Sequence, residues 1–229
     1  MEIFQNLGLS SSLYTKNAGD MPDWILKQKQ FYDSPDLATV RSTAKNGVLT
    51  ALTSVPNLHV DYLNYSYVFI DDCRTHTITF PSNTAVFVDN FCGTMNIVGK
   101  DVGEVNIIEN HGSITISTTG NDLKWITAYK NYKTVTAKTP VQRFDLINAY
   151  TGSKITLSKL TNDAYVSDLK SGAILRIENC DRGVHHIHAG AYCGSLYTTR
   201  QCHDKVEIWD SYYKYYGCTS NHGTWSEIY

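Results

Sequence analysis

The densest chemistry in the 229-residue sequence is the run Gly183-Val-His-His-Ile-His-Ala-Gly190. If Ile187 points into a core, alternation along a strand turns His186 and His188 to one outward face. Neighbouring imidazoles are donors that iron, nickel or zinc accept. Against that, a lone H-x-H arises by chance, and the same residues read equally as surface histidines. A second candidate set is Asp71, Asp89 and Glu109, which recur in similar quartets along the chain. Stacked in adjacent coils, two such carboxyls would lie about 5 Å apart, the spacing of a retaining glycosidase pair. Acidic residues at corners also satisfy backbone donors, and a catalytic site does not need a whole column of them. A third set is aromatic: Trp209, Tyr212, Tyr213, Tyr215, Tyr216 and Trp225 crowd the end of the chain. Such rings offer large contact area to a sugar or protein receptor at low rotamer cost. They serve equally as a cap over a final structural unit.

The sequence must supply elements that hold these groups. Successive quartets begin at Phe69, Phe87, Ile107, Thr127, Leu146, Val166, Ile187 and Ile208, at offsets of 18, 20, 20, 19, 20, 21 and 21 residues. Each is followed by a short run rich in β-formers, such as THTITF, TMNIVG, SITIST and SKITLSK. A period near 20 residues with strands inside every unit is the signature of a β-solenoid rather than of independent hairpins. Equivalent positions then stack about 4.8 Å apart. Val105 with Ile107, Phe144 with Leu146, and Val206 with Ile208 are expected to share the inward face, joined by Ile114 and Ile116. The expected fold is therefore all-β: a β-helix of about eight coils, each about 20 residues long.

The N-terminal part has another texture. Ser34 and Pro35 are start signals and Pro56 a stop, and Leu37, Val40, Ala44, Val48, Leu52 and Val55 are spaced for one helical face. The expected organisation is an attachment arm or oligomerisation segment over 1–33, a capping helix and linker over 34–66, coils over 67–207 and an aromatic cap or tip over 208–229.

Composition narrows the classes. A hydrophobic share of 42% against 18% charge argues for a packed fold, and a net charge of −2 gives no general attraction to nucleic acid or anionic membrane. No run is long enough to insert into a membrane. No basic region precedes an apolar run at the N-terminus, so synthesis in a cytoplasm without a signal peptide is expected. The six cysteines lack zinc or redox clustering. Cys73 with Cys92, and Cys180 with Cys202, fall at matching places in successive coils and are expected to be stacked thiols rather than bonds. Phosphate-loop, serine-hydrolase and zincin motifs are missing from the sequence.

A helical lead, coils of the type FVDNFCGTMNIVG, IIENHGSITIST and LINAYTGSKITLSK, the run GVHHIHAG and an aromatic end together resemble a bacteriophage tail fibre or tailspike. The resemblance is architectural and covers roughly residues 35 to 229. It implies a homotrimer in the virion, joined to other tail or baseplate proteins through its N-terminal segment and bound to host cell-surface polysaccharide or protein. It also implies that His186 and His188 of three chains meet on a threefold axis around an iron or zinc ion. Two alternatives stand beside it: a β-helix hydrolase or lyase that degrades the polysaccharide, and an intracellular interaction domain resembling the C-terminal domain of cyclase-associated proteins.

Overall fold

The computed structural model describes residues 47–50, 64–70 and 72–179, together with strands at 187–192, 195–199, 206–208 and 224–228. The chain is an all-β parallel β-solenoid of two sheets. Along the chain the strands are β1 (Gly47–Thr50), β2 (Asn64–Phe69), β3 (Thr75–Phe80), β4 (Thr84–Asp89), β5 (Thr94–Lys100), β6 (Glu104–Asn110), β7 (Ser113–Thr119), β8 (Leu123–Asn131) and β9 (Thr134–Ala137). They continue as β10 (Val141–Ala149), β11 (Lys154–Leu157), β12 (Leu160–Leu169), β13 (Ile174–Ile177), β14 (Ile187–Tyr192), β15 (Ser195–Thr199), β16 (Val206–Ile208) and β17 (Thr224–Ile228). Even-numbered strands from β2 to β16 lie side by side in sheet A, and odd-numbered strands from β3 to β17 form sheet B. Each coil therefore contributes one strand to each sheet, and neighbours pair in parallel.

The core between the sheets is built of columns. In sheet A one inward column runs Val86, Val105, Ile126, Phe144, Ala164, and the other Val68, Val88, Ile107, Ala128, Leu146, Val166. Met95, Ile114, Val135, Ile155 and Leu175 face them from sheet B. All are fully buried, so the expected inward pairs Val105/Ile107 and Phe144/Leu146 are found, as are Ile114 and Ile116. Val206 and Ile208 continue the same two columns by register.

The two corners use different chemistry. At the turn from sheet A to sheet B, Asn110 and Asn131 stand inside the coil: Asn110 Nδ2 donates to Asn131 Oδ1 at 2.7 Å, and Asn131 Nδ2 to Ser153 Oγ at 2.5 Å. Asn110 Oδ1 accepts from the Gly112 amide at 2.9 Å. Amide ladders of this kind satisfy the backbone and each other where no strand partner exists. Gly112 is required there because a Cβ would stand 2.3 Å from the Gly93 carbonyl oxygen of the coil below. The opposite corner has no such amide ladder among the described residues and turns through Asn83 at φ 55°, Asp101 at 53° and Gly120 at 89°; left-handed residues also serve the first corner, at Asn90, Gly152 and Gly172.

Two expectations change. Gly47–Thr50 is a strand pairing antiparallel with β2, Val48 opposite Val68, so the helical spacing expected across 35–55 does not hold through this stretch. Its other residues, and the arm over 1–33, lie outside the described residues. The quartets also do not all share one column. Ile107, Leu146, Val166 and Ile208 do, whereas Phe87 and Thr127 sit one residue early, Phe69 one late and Ile187 two early.

Candidate functional site

The faces of the two sheets turned away from the core differ sharply. In sheet B only alternate residues are buried, as in β9 and β13, so its outer face is open. In sheet A both parities are buried: β4 is buried throughout, and outward-pointing Tyr67, Phe87, Ile108, Tyr129 and Ile147 are covered although none belongs to the central core. All seventeen strands among the described residues belong to the two sheets, so none of these strands lies over this face.

Charged groups are embedded in that covered face. One column runs Glu104, Trp125, Arg143, Asp163, and the next Asn106, Thr127, Asp145, Tyr165. Asp145 has no exposed surface; its Oδ2 accepts from Trp125 Nε1 at 2.5 Å and its Oδ1 from Arg143 Nε at 3.2 Å. The Arg143 guanidinium lies 4.3 Å from the Trp125 ring centre. Burial pushes the Asp145 carboxyl up to about 6, aided by the Asp163 charge and opposed by Arg143 and Trp125. A carboxyl titrating near neutrality suits acid catalysis in principle. Here both its oxygens are engaged and the face is covered, so the cluster holds the fold.

The exposed side offers another arrangement. On sheet B, Thr75, Thr94, Ser113 and Thr134 form one column, and Thr77, Asn96, Thr115, Thr136 and Thr156 a second. Columns two residues apart on a strand are about 6.6 Å apart, and rungs are about 4.8 Å apart, so hydroxyls and an amide tile a flat polar surface. Along its margin, at the Asn-ladder corner, His111, Tyr132 and Tyr150 stack ring on ring at 4.4 and 4.2 Å between centroids. Lys170 Nζ caps this column 5.0 Å from the Tyr150 ring. His111 Nε2 and Glu109 Oε1 are 2.8 Å apart. Burial, then the neighbouring Tyr150, raises the Tyr132 hydroxyl's pKa.

The candidates read from sequence are distributed over this frame. Asp89 is buried on the outer face of sheet A, where it accepts a hydrogen bond from the Tyr67 hydroxyl. Its lateral neighbour is Phe69, and Glu109 pairs with Lys130, so Asp89 and Glu109 form no common carboxylate column. The slip is one residue, which in a strand exchanges the two faces. Asp71 lies outside the described residues. Ile187 holds the inward register of Ala164, as expected, which places His188 opposite Tyr165; His186 lies outside the described residues. Trp225 pairs with Leu196 in the column that contains Met95 and Ile114, a core register. Trp209, Tyr212, Tyr213, Tyr215 and Tyr216 are outside the described residues. Among the described residues no group of three or more metal-donor side chains forms a metal site.

Sequence reasoning missed the ring column and the Asp145 cluster. The ring column was findable, because His111, Tyr132 and Tyr150 each follow the corner position of their coil. Signals for covered sheet A were Ile108 and Ile147, apolar at the parity expected to be polar.

The fold defines a parallel β-solenoid with one covered and one open sheet. No family model matches the chain, and no curated protein or solved structure is similar enough to count as a match.

Proposed function

We propose that the chain is a bacteriophage tail fibre or tailspike subunit that binds host surface polysaccharide without cleaving it. One observation carries the reading: the open face of sheet B presents two columns of hydroxyls, with one amide, that run from coil to coil over β3 to β9 and in one column to β11, bordered by the ring column of His111, Tyr132 and Tyr150. A surface that repeats along an axis fits a ligand that repeats, and a polysaccharide offers hydroxyls to the columns and ring faces or C–H edges to the aromatic margin. The same reading carries a homotrimer attached to tail or baseplate proteins, with His186 and His188 of three chains holding iron or zinc and the C-terminal aromatic residues adding receptor contacts.

The test is binding of full-length protein to a panel of purified bacterial capsular and O-antigen polysaccharides, with release of reducing ends measured in parallel. Thr136→Lys and Tyr150→Ala should each weaken binding about tenfold or more, a loss of at least about 1.4 kcal/mol, while thermal unfolding of the lysine variant stays in place. Wild-type binding by both variants refutes the assignment to this face. Cleavage of the bound polysaccharide replaces the reading with the degrading enzyme. The covered, engaged carboxylates Asp89 and Asp145 support binding over cleavage.

A further inference from the structure

Cys73 and Cys92 occupy the same corner in successive coils, at the head of the column that continues through His111, Tyr132 and Tyr150. The backbone fixes that placement: the Thr94 amide donates to the Arg74 carbonyl at 3.0 Å, and the His111 amide to the Phe91 carbonyl at 2.7 Å. Laterally adjacent positions in a parallel stack are about 4.8 Å apart, inside the Cα range a disulfide accepts. The two sulfur atoms approach to 2.6 Å. Cys73 is exposed and Cys92 half-buried, so a solute reaches the pair.

The location gives the pair a consequence. Among the described strands, sheet B ends at β3, which has a strand neighbour on one side only. An end strand is the part of a parallel stack most open to fraying. Cys73 lies two residues before β3, and Cys92 two before its neighbour β5, so a bond between them would hold the end strand at the corner where it enters the sheet.

We propose that Cys73 and Cys92 are a redox modification site, closed by a low-molecular-weight disulfide such as oxidised glutathione, that staples the terminal strand of sheet B. One cysteine thiolate attacks a glutathione sulfur, forming a mixed disulfide and releasing one glutathione thiolate. The other cysteine, as thiolate, attacks the protein sulfur of that mixed disulfide and releases the second glutathione. The S–S bond of the oxidant is exchanged for a Cys73–Cys92 bond. Two electrons and two protons pass from the protein to two glutathione thiols. Transfer from a reducing cytoplasm to an oxidising exterior would drive the closure.

Full-length protein is equilibrated with oxidised glutathione or with dithiothreitol, then mapped by non-reducing peptide mass spectrometry and by amide hydrogen exchange. The expected result is a linked Cys73–Cys92 peptide and exchange over Thr75–Phe80 slowed by about tenfold relative to the reduced protein, with strands β7 to β11 unchanged. The Cys92→Ser variant should show neither effect. Complete alkylation of Cys73 and Cys92 after oxidation, pairing of either with another cysteine, or equal exchange of β3 in both states overturns the proposal. Because wild-type protein alone yields the decisive comparison, the test survives a variant that folds poorly.

Discussion

Raising the pH from about 4 to about 7 should weaken the fold through Asp145, against the trend of an ordinary salt-bridged carboxylate. The folded-state pKa is raised from 3.8 to about 6, so between those values the folded chain holds a proton that the unfolded chain has released. Stability falls with rising pH wherever the folded state binds more protons. The window therefore opens near the unfolded value and closes just above 6. A shift of about two units at 1.36 kcal/mol per unit amounts to about 3 kcal/mol, present in full below the window and lost above it. Asp72 has the opposite sign: Arg74 and His76 hold its carboxyl well below the usual range, so its contribution is present above the ordinary carboxylate pKa and lost as pH falls. Comparison with Asp145→Asn separates the two. The amide keeps the shape and carries no charge, and Arg143, still over Trp125, stays protonated throughout. Urea unfolding followed by circular dichroism at several pH values between about 4 and 7.5 gives the difference between wild type and variant. That difference should fall by about 3 kcal/mol as pH rises. A difference flat to within about 0.5 kcal/mol would mean that Asp145 is hydrated and that sheet A is not covered in solution.

Other consequences of the stacked geometry are open to the same assay. Gly112→Ala forces a Cβ against the Gly93 carbonyl and should destabilise by about 1–3 kcal/mol or more, without loss of a single native side-chain contact. Asn131→Ala strips partners from Asn110, Ser153 and the Lys133 carbonyl at once, and about 1–3 kcal/mol should disappear from the urea-derived stability. Phe144→Ala opens a cavity between the sheets costing about 3–5 kcal/mol, provided the neighbouring coils do not collapse into it. Trp225→Ala should lower the melting temperature before it lowers receptor binding, because β17 places Trp225 in a core register; unchanged melting with lost binding would put it in the tip.

The coil period was legible because it is enforced at every turn: each rung must return to the same place, so the spacing near 20 residues survives variation in the residues themselves. The inward pairs of β6 and β10 were legible for the same reason. The column assignments were less so. In sheet A, Phe87 and Val88 are both buried, as are Ile107 and Ile108, so hydrophobicity along these strands does not say which parity faces the core. That ambiguity turned the expected ladder of Asp89 and Glu109 into two unrelated positions. In sheet B, where Thr115 and Thr136 alternate with Ile114 and Val135, the pattern fixes the parity, and the core residues fell where expected. Strand β1 was hidden for another reason: Gly-Val-Leu-Thr suits either a strand or the end of an amphipathic helix, and only pairing with β2 decides it.

The asymmetry that blurred the register also limits where function can reside. A charged group buried on a covered sheet must be matched to survive desolvation, and Asp145 is, by Trp125 and Arg143. Groups so engaged are set against each other and have little left to offer a ligand. On sheet B the hydroxyls of Thr75, Thr77 and Thr94 keep exposed surface, and their loss costs the core nothing. The ring column lies between the two regimes, with Tyr132 and Tyr150 half-buried and His111 exposed. Variation of outward residues in sheet A should therefore register as stability, and variation on sheet B and at the His111–Tyr150 corner as recognition. A single substitution on each side, measured for both quantities, separates the two sheets by role.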